Sequence, residues 1–159
     1  MSIDQAKTDI RSLTTHAYTL IPATLPPNLP EIEGIAGVPD WHDYERQVWA
    51  LGEQIRQHLL QHKSLRKDKE LLDMFLKVCL NRNAKRGRQS FIMLFEYKHW
   101  QEYASQIITQ IDDEFVCLHV ISALNKMKAK GYSSIIEIFT THKVTVIRNE
   151  AKKYMANLN

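Results

Sequence analysis

Glycine is scarce in this 159-residue chain, with five in all. That disfavours primed-turn β-hairpins and Gly-rich phosphate loops, which need positive φ or close backbone approach. Cysteine is scarcer still. Cys79 and Cys117 are the only two, and each sits in an apolar helical stretch, so both read as reduced core thiols. No apolar run approaches the roughly 18 residues of a membrane span. The N-terminus, MSIDQAKTDIRSLTTHAY, lacks an apolar signal-peptide core. The expectation is a cytoplasmic protein with no membrane partner. All five prolines fall within residues 20–40, so helix breaking is confined to one stretch.

What is present suits a folded domain. The hydrophobic fraction is 44% and the charged fraction 25%, which argues against disorder. Charge is uneven. Residues 1–60 hold 4 basic and 8 acidic side chains, a balance of −4, and residues 61–159 hold 17 and 10, a balance of +7. The basic part favours acidic partners, whether protein or nucleic acid.

The pattern predicts one helical domain over 1–159, with an N-terminal helix over 1–19. Ser2 and Gln5 have capping-box spacing there. Residues 20–40 carry Leu20, Ile21, Leu25, Leu29, Ile32, Ile35 and Val38 among the prolines, too apolar for a free linker. They predict an extended segment packed on the helices. Stacked helix pairs are expected over 41–159. Asp40 is the expected N-cap of a helix whose apolar stripe is Tyr44, Val48, Leu51, Ile55 and Leu59. A short buried helix follows over 68–80. Trp100, Tyr103, Ala104, Ile107, Ile108 and Ile111 predict one amphipathic helix. Another spans Val116 to Met127, with Gly131 expected as the left-handed cap. Ser134 and Glu137 offer a second capping box, and a last helix is expected over about Val144–Asn157.

Three segments align without gaps: GRQSFIMLFEYK from Gly87, VCLHVISALNKM from Val116 and IRNEAKKYMANL from Ile147. Their starts lie 29 and 31 residues apart, and a weaker start at Ile55 lies 32 residues before Gly87. Apolar positions superpose as Phe91, Leu94 and Phe95, then Val120, Ala123 and Leu124, then Ala151, Tyr154 and Met155. Such a period marks stacked helix pairs, because one pair alone cannot bury both apolar faces. Residues 85–158 resemble the HEAT-repeat family, most closely at Ile147, Arg148, Ala151, Met155 and Leu158. Cys117 and Gly87 depart from that family's Arg and Val. The resemblance implies an all-α, right-handed α-α superhelix, a HEAT-like helical repeat carrying a Pro-rich extended segment near its N-terminus. It also implies a structural role for Arg88 and Arg148, each bonding the Asp of a turn, with Asp112 or Asp113 as acceptor.

No motif names a reaction. His58 and His62 share a helix face but lack the rest of a metal set, and they read as solvent-facing. No Gly-x-Ser-x-Gly elbow occurs. Asp112 and Asp113 precede a helix, where acidic groups meet unpaired N–H donors. No catalytic residue, metal, cofactor or small-molecule substrate is therefore expected. The partner-binding candidates are Lys63, Arg66, Lys67 and Lys69 in one inter-helix turn, Arg82, Lys85 and Arg86 in the next, and Trp49 beside the stripe. If the repeat holds, the two turns share one edge. The leading expectation is a HEAT-like protein that binds another protein through one face of its helix array, as an inhibitor or toxin-immunity protein would. The alternative is DNA binding through the basic ridge, as in HEAT-like DNA glycosylases.

Overall fold

A computed structural model describes residues 1–28, 30–32 and 40–158. The described residues form an all-α fold: α1 (Ile3–Leu20), α2 (Asp43–Gln61), α3 (Lys69–Leu80), α4 (Gln89–Met93), α5 (Ala104–Ile107), α6 (Cys117–Met127), α7 (Ser133–Ile136) and α8 (Thr145–Ala156), with 3-10 turns between them. None of these helices is long and apolar enough to cross a membrane. The chain divides into two compact units, Met1–Phe91 and Ile92–Asn159.

In the first unit α1 packs on both α2 and α3. It buries Ala6, Ile10, Thr14 and Ala17, spaced to form one helical stripe. Ser2 Oγ accepts the Gln5 N–H at 3.1 Å, as the capping-box spacing predicts. The Gln5 side chain goes instead to Asp9, so the box is half made. The α2 stripe Val48, Leu51, Ile55 and Leu59 is buried as expected. Its N-cap, however, is His42 rather than Asp40. The Glu45 carboxylate accepts the His42 N–H at 2.7 Å and fixes the helix start there. Asp40 is occupied outside the helix by the Trp41 N–H and the Arg46 guanidinium, both at 2.7 Å. Asp68 caps α3, accepting from Leu71 N–H at 3.2 Å and pairing with Lys7.

The Pro-rich segment is anchored at its start. Ile21 is buried, whereas Leu25 and Ile32 are exposed. The carbonyls of Pro22 and Ala23 each accept from Asn83 Nδ2 at 3.0 Å. Leu29, Ile35 and Val38 lie outside the described residues.

In the second unit α8 packs on α6, on α7 and on the 3-10 turn Glu137–Thr141. The expected helix over Trp100–Ile111 is broken into a 3-10 turn (Lys98–Tyr103), α5 and a second 3-10 turn (Ile108–Gln110). The backbone kinks at Trp100, with φ −106° and ψ 23°. All six predicted apolar positions are nonetheless buried, because spacings of three and four serve either helix type. The left-handed cap of α6 is Lys128, φ 56°, rather than Gly131, and Ala129 N–H reaches back to Leu124 O at 3.1 Å. Gly131 takes positive φ three residues later, in the following turn. Tyr132, not Ser134, caps α7.

Eight of the nine superposed repeat positions are buried, Met155 being half-buried. The elements carrying them are unequal. The segment from Gly87 holds only the five-residue α4, whereas those from Val116 and Ile147 hold helices of 11 and 12 residues.

Candidate interaction site

The two basic turns do not lie along one edge. The 3-10 turn Lys63–Lys67 follows the C-terminus of α2 and leads into α3. The 3-10 turn Arg82–Arg88 leaves the other end of α3 and packs on the N-terminal part of α2. At 1.5 Å per residue the 12 residues of α3 separate the turns by about 18 Å.

Around the first turn, Lys63, Lys67 and Lys69 are exposed. Arg66 is half-buried and donates from Nε to Leu59 O at 2.9 Å, taking one of the orphan carbonyls at the end of α2. Acidic groups share this end of α3. Asp68 pairs with Lys7, and Glu70 pairs with Lys7 and Arg11. The four cations therefore meet a mixed field.

The second turn is built differently. Lys85 has φ 48° and ψ −126°, close to the first central position of a type II′ turn, which normally holds Gly. A non-Gly residue there costs about 1–3 kcal/mol. Several bonds hold the turn in place. Tyr44 Oη donates to Asn83 O at 2.9 Å, and the backbone N–H of Arg86 donates to Glu45 Oε1 at 3.1 Å. Asn83 also donates to the Pro22 and Ala23 carbonyls. Burial pushes the Tyr44 hydroxyl up to about 12, with Glu45 adding to the shift, so it stays protonated and can donate. Gly87 completes the fit. A Cβ there would stand 2.8 Å from Glu45 O.

This turn keeps Lys85 and Arg86 half-exposed and Arg82 exposed. The Arg86 guanidinium lies 5.6 Å from the Trp41 ring centroid, within cation–π reach. Asp40 lies near the same guanidinium. Its carboxyl is held below the usual range, chiefly by the Trp41 N–H, then by Arg46, with Arg86 contributing. Lys85→Gly is expected to raise the stability of the chain by about 1 kcal/mol through relief of the left-handed strain. Urea melts of the two proteins measure this.

Trp49 is half-buried on α2. The sequence pattern does not single out Trp41, which precedes the helix and belongs to no stripe. The signal for it was the adjacency of Asp40, Trp41 and a downstream Arg at Arg46. Nor does the pattern single out Glu45, because a carboxylate on a helix normally faces water, whereas this one is buried.

Arg88 is fully buried and donates from Nη1 to Cys79 O at 2.8 Å. Arg148, its counterpart by register, is half-buried and bonds locally, to His142 O at 2.7 Å and Thr145 Oγ1 at 3.1 Å. Asp112 is exposed. Asp113 is half-buried. Its carboxylate accepts the Phe115 N–H at 2.9 Å and its carbonyl the Cys117 N–H, ordering the entry to α6. Cys79 and Cys117 are buried free thiols, and burial raises both pKa values. His58 is half-buried with Nδ1 enclosed and unpartnered, so it does not face solvent freely as the sequence suggests. Among the described residues no cluster of His, Cys, Asp and Glu is arranged to hold a metal ion. No protein-family model, no curated protein and no solved structure matches the chain.

Proposed function

We propose that the chain is a non-enzymatic, cytoplasmic HEAT-like helical-repeat protein that binds an acidic patch on another protein, as an inhibitor or toxin-immunity protein would. The contact is made by the corner comprising Trp41, Lys85 and Arg86. The carrying observation is the turn at Lys85, a strained backbone retained by bonds from α2 and from the start of the Pro-rich segment. Such strain concentrates where a fixed geometry is used. A fixed turn loses little entropy on binding, and Trp and Arg are the residue types that dominate interface energetics. DNA binding calls for several phosphate contacts along one track. Two basic turns separated by the length of α3 support that reading less.

The test is capture from a native lysate with both protein and nucleic-acid detection, followed by affinity measurement on the recovered partner. Lys85→Ala with Arg86→Ala should weaken a protein complex at least tenfold and leave the melting temperature within about 2 °C of the parent. Recovery of DNA or RNA with a steep salt dependence would replace this reading with the nucleic-acid one.

A further inference from the structure

The second unit carries exposed apolar side chains around the turn from α7 into α8. Ile138 is 70% exposed, Ile135 42% and Val144 40%. Ile135 and Ile138 lie three residues apart, on one side of α7 and the 3-10 turn that continues it. Val144 follows as the N-cap of α8. Val146 is also exposed, but it lines the cleft toward α6 with Leu118 and His119 and is not part of this patch. Single exposed apolar residues are ordinary, whereas a cluster on one turn marks a surface that is covered in use.

The turn is firmly held. Phe139 stacks on His142, ring centroids 6.1 Å apart. His142 Nδ1 accepts the Val144 N–H at 3.1 Å, and the His142 carbonyl accepts from Arg148 Nη1 at 2.7 Å. The Thr140 hydroxyl donates to Glu137 O at 2.7 Å. A surface fixed in this way loses little entropy on association.

Two opposite charges flank the patch. Glu137 and Lys143 are both exposed. Among the described residues, neither the Glu137 carboxylate nor the Lys143 ammonium has a hydrogen-bond or ion-pair partner. They stand three residues before and three residues after Thr140. Two copies of the turn, laid antiparallel about a two-fold axis near Thr140, therefore set Glu137 of each against Lys143 of the other. The same axis brings Ile138 of each copy toward the segment from His142 to Val144 of the other. An isologous contact repeats every pairing twice. A patch bearing one charge of each sign is thus complementary to itself, whereas a surface of one sign satisfies only half of it.

We propose that this face joins two copies of the chain as a homodimer. Ile135, Ile138 and Val144 are covered at its centre, and two Glu137–Lys143 pairs close its rim. The face is small beside the roughly 800 Å² per partner of a standard interface. The dimer is accordingly weak, with Kd on the order of 10–100 µM. It uses the second unit alone and stands independently of the Trp41–Arg86 corner.

The test is sedimentation velocity of the full chain from about 5 to 500 µM. A reversible monomer–dimer equilibrium that stops at the dimer is expected, because an isologous contact closes. Ile138→Asp should leave the chain monomeric throughout, with a melting temperature within about 2 °C of the parent. Glu137→Lys and Lys143→Glu should each weaken the dimer at least fivefold by setting like charges opposite one another. The double reversal, Glu137→Lys with Lys143→Glu, should return Kd to within about twofold of the parent. That recovery decides the matter even where Ile138→Asp folds poorly. A monomer at about 500 µM, growth beyond the dimer, a dimer that survives Ile138→Asp, or a double reversal that recovers nothing would overturn the proposal.

Discussion

Arg88→Ala is expected to lower stability by about 3–5 kcal/mol, a fall in melting temperature of roughly 6–20 °C for a chain of this size. Arg88 is fully buried, among the largest side chains in the core. Its Nη1 serves Cys79 O at 2.8 Å, one of the carbonyls in the last turn of α3. Truncation removes a hydrogen bond that carries charge, strips a donor from a helix end, and leaves a cavity the length of the side chain. Arg148→Ala is the comparison. It occupies the matching register position, but it is half-buried and ties only the loop before α8 to that helix's first turn. Its loss should be about 1 kcal/mol. Thermal and urea melts of both variants measure the contrast. Equal small losses would mean that burial does not distinguish the two positions.

That contrast shows how far the sequence reaches. Helical periodicity reports which side chains are buried. Trp100, Tyr103, Ala104, Ile107, Ile108 and Ile111 are all inside. It does not report whether the backbone beneath them is continuous, because α and 3-10 turns place the third and fourth neighbour on nearly the same side. Caps proved legible where one side chain decides them, as at Ser2. They proved illegible where neighbouring side chains compete, as where the Arg46 guanidinium claims Asp40 and the Glu45 carboxylate accepts at the start of α2. The candidate corner was half legible. Lys85 and Arg86 stand out as charges, but Trp41, Tyr44 and Glu45 join their turn only through contacts 39 to 45 residues apart in sequence. Gly52 was silent for the same reason. Within α2 it looks like a helix weakness of roughly 1 kcal/mol. In the fold, an added Cβ would meet Ser90 Oγ at 2.1 Å and Phe91 Cδ2 at 3.1 Å, so the absence of a side chain at Gly52 lets Ser90 and Phe91 sit against α2.

Gly87→Val separates register from geometry most sharply. By register Gly87 corresponds to Val116 and Ile147, and a replacement toward a shared pattern commonly adds about 0.5–2 kcal/mol. The local packing demands the opposite. Gly87 is buried, and a Cβ there would lie 2.8 Å from Glu45 O, 2.9 Å from Val48 Cβ and 3.2 Å from Glu45 Cα. Two of those atoms are helix backbone and cannot turn aside as a flexible side chain would. The third belongs to a β-branched residue with little rotamer freedom. To admit valine, the Arg82–Arg88 turn must lift from α2. That motion would also pull the Arg86 N–H from Glu45 and the Asn83 carbonyl from Tyr44. The expected loss is about 3 kcal/mol or more, a melting temperature lower by roughly 6–12 °C, with Gly87→Ala losing about 2 kcal/mol. Because the same turn presents Lys85 and Arg86, partner affinity should fall in both variants although neither replaces a contacting side chain. A rise in melting temperature for Gly87→Val would show that the turn does not rest on α2, and it would remove the physical basis for a pre-formed binding corner.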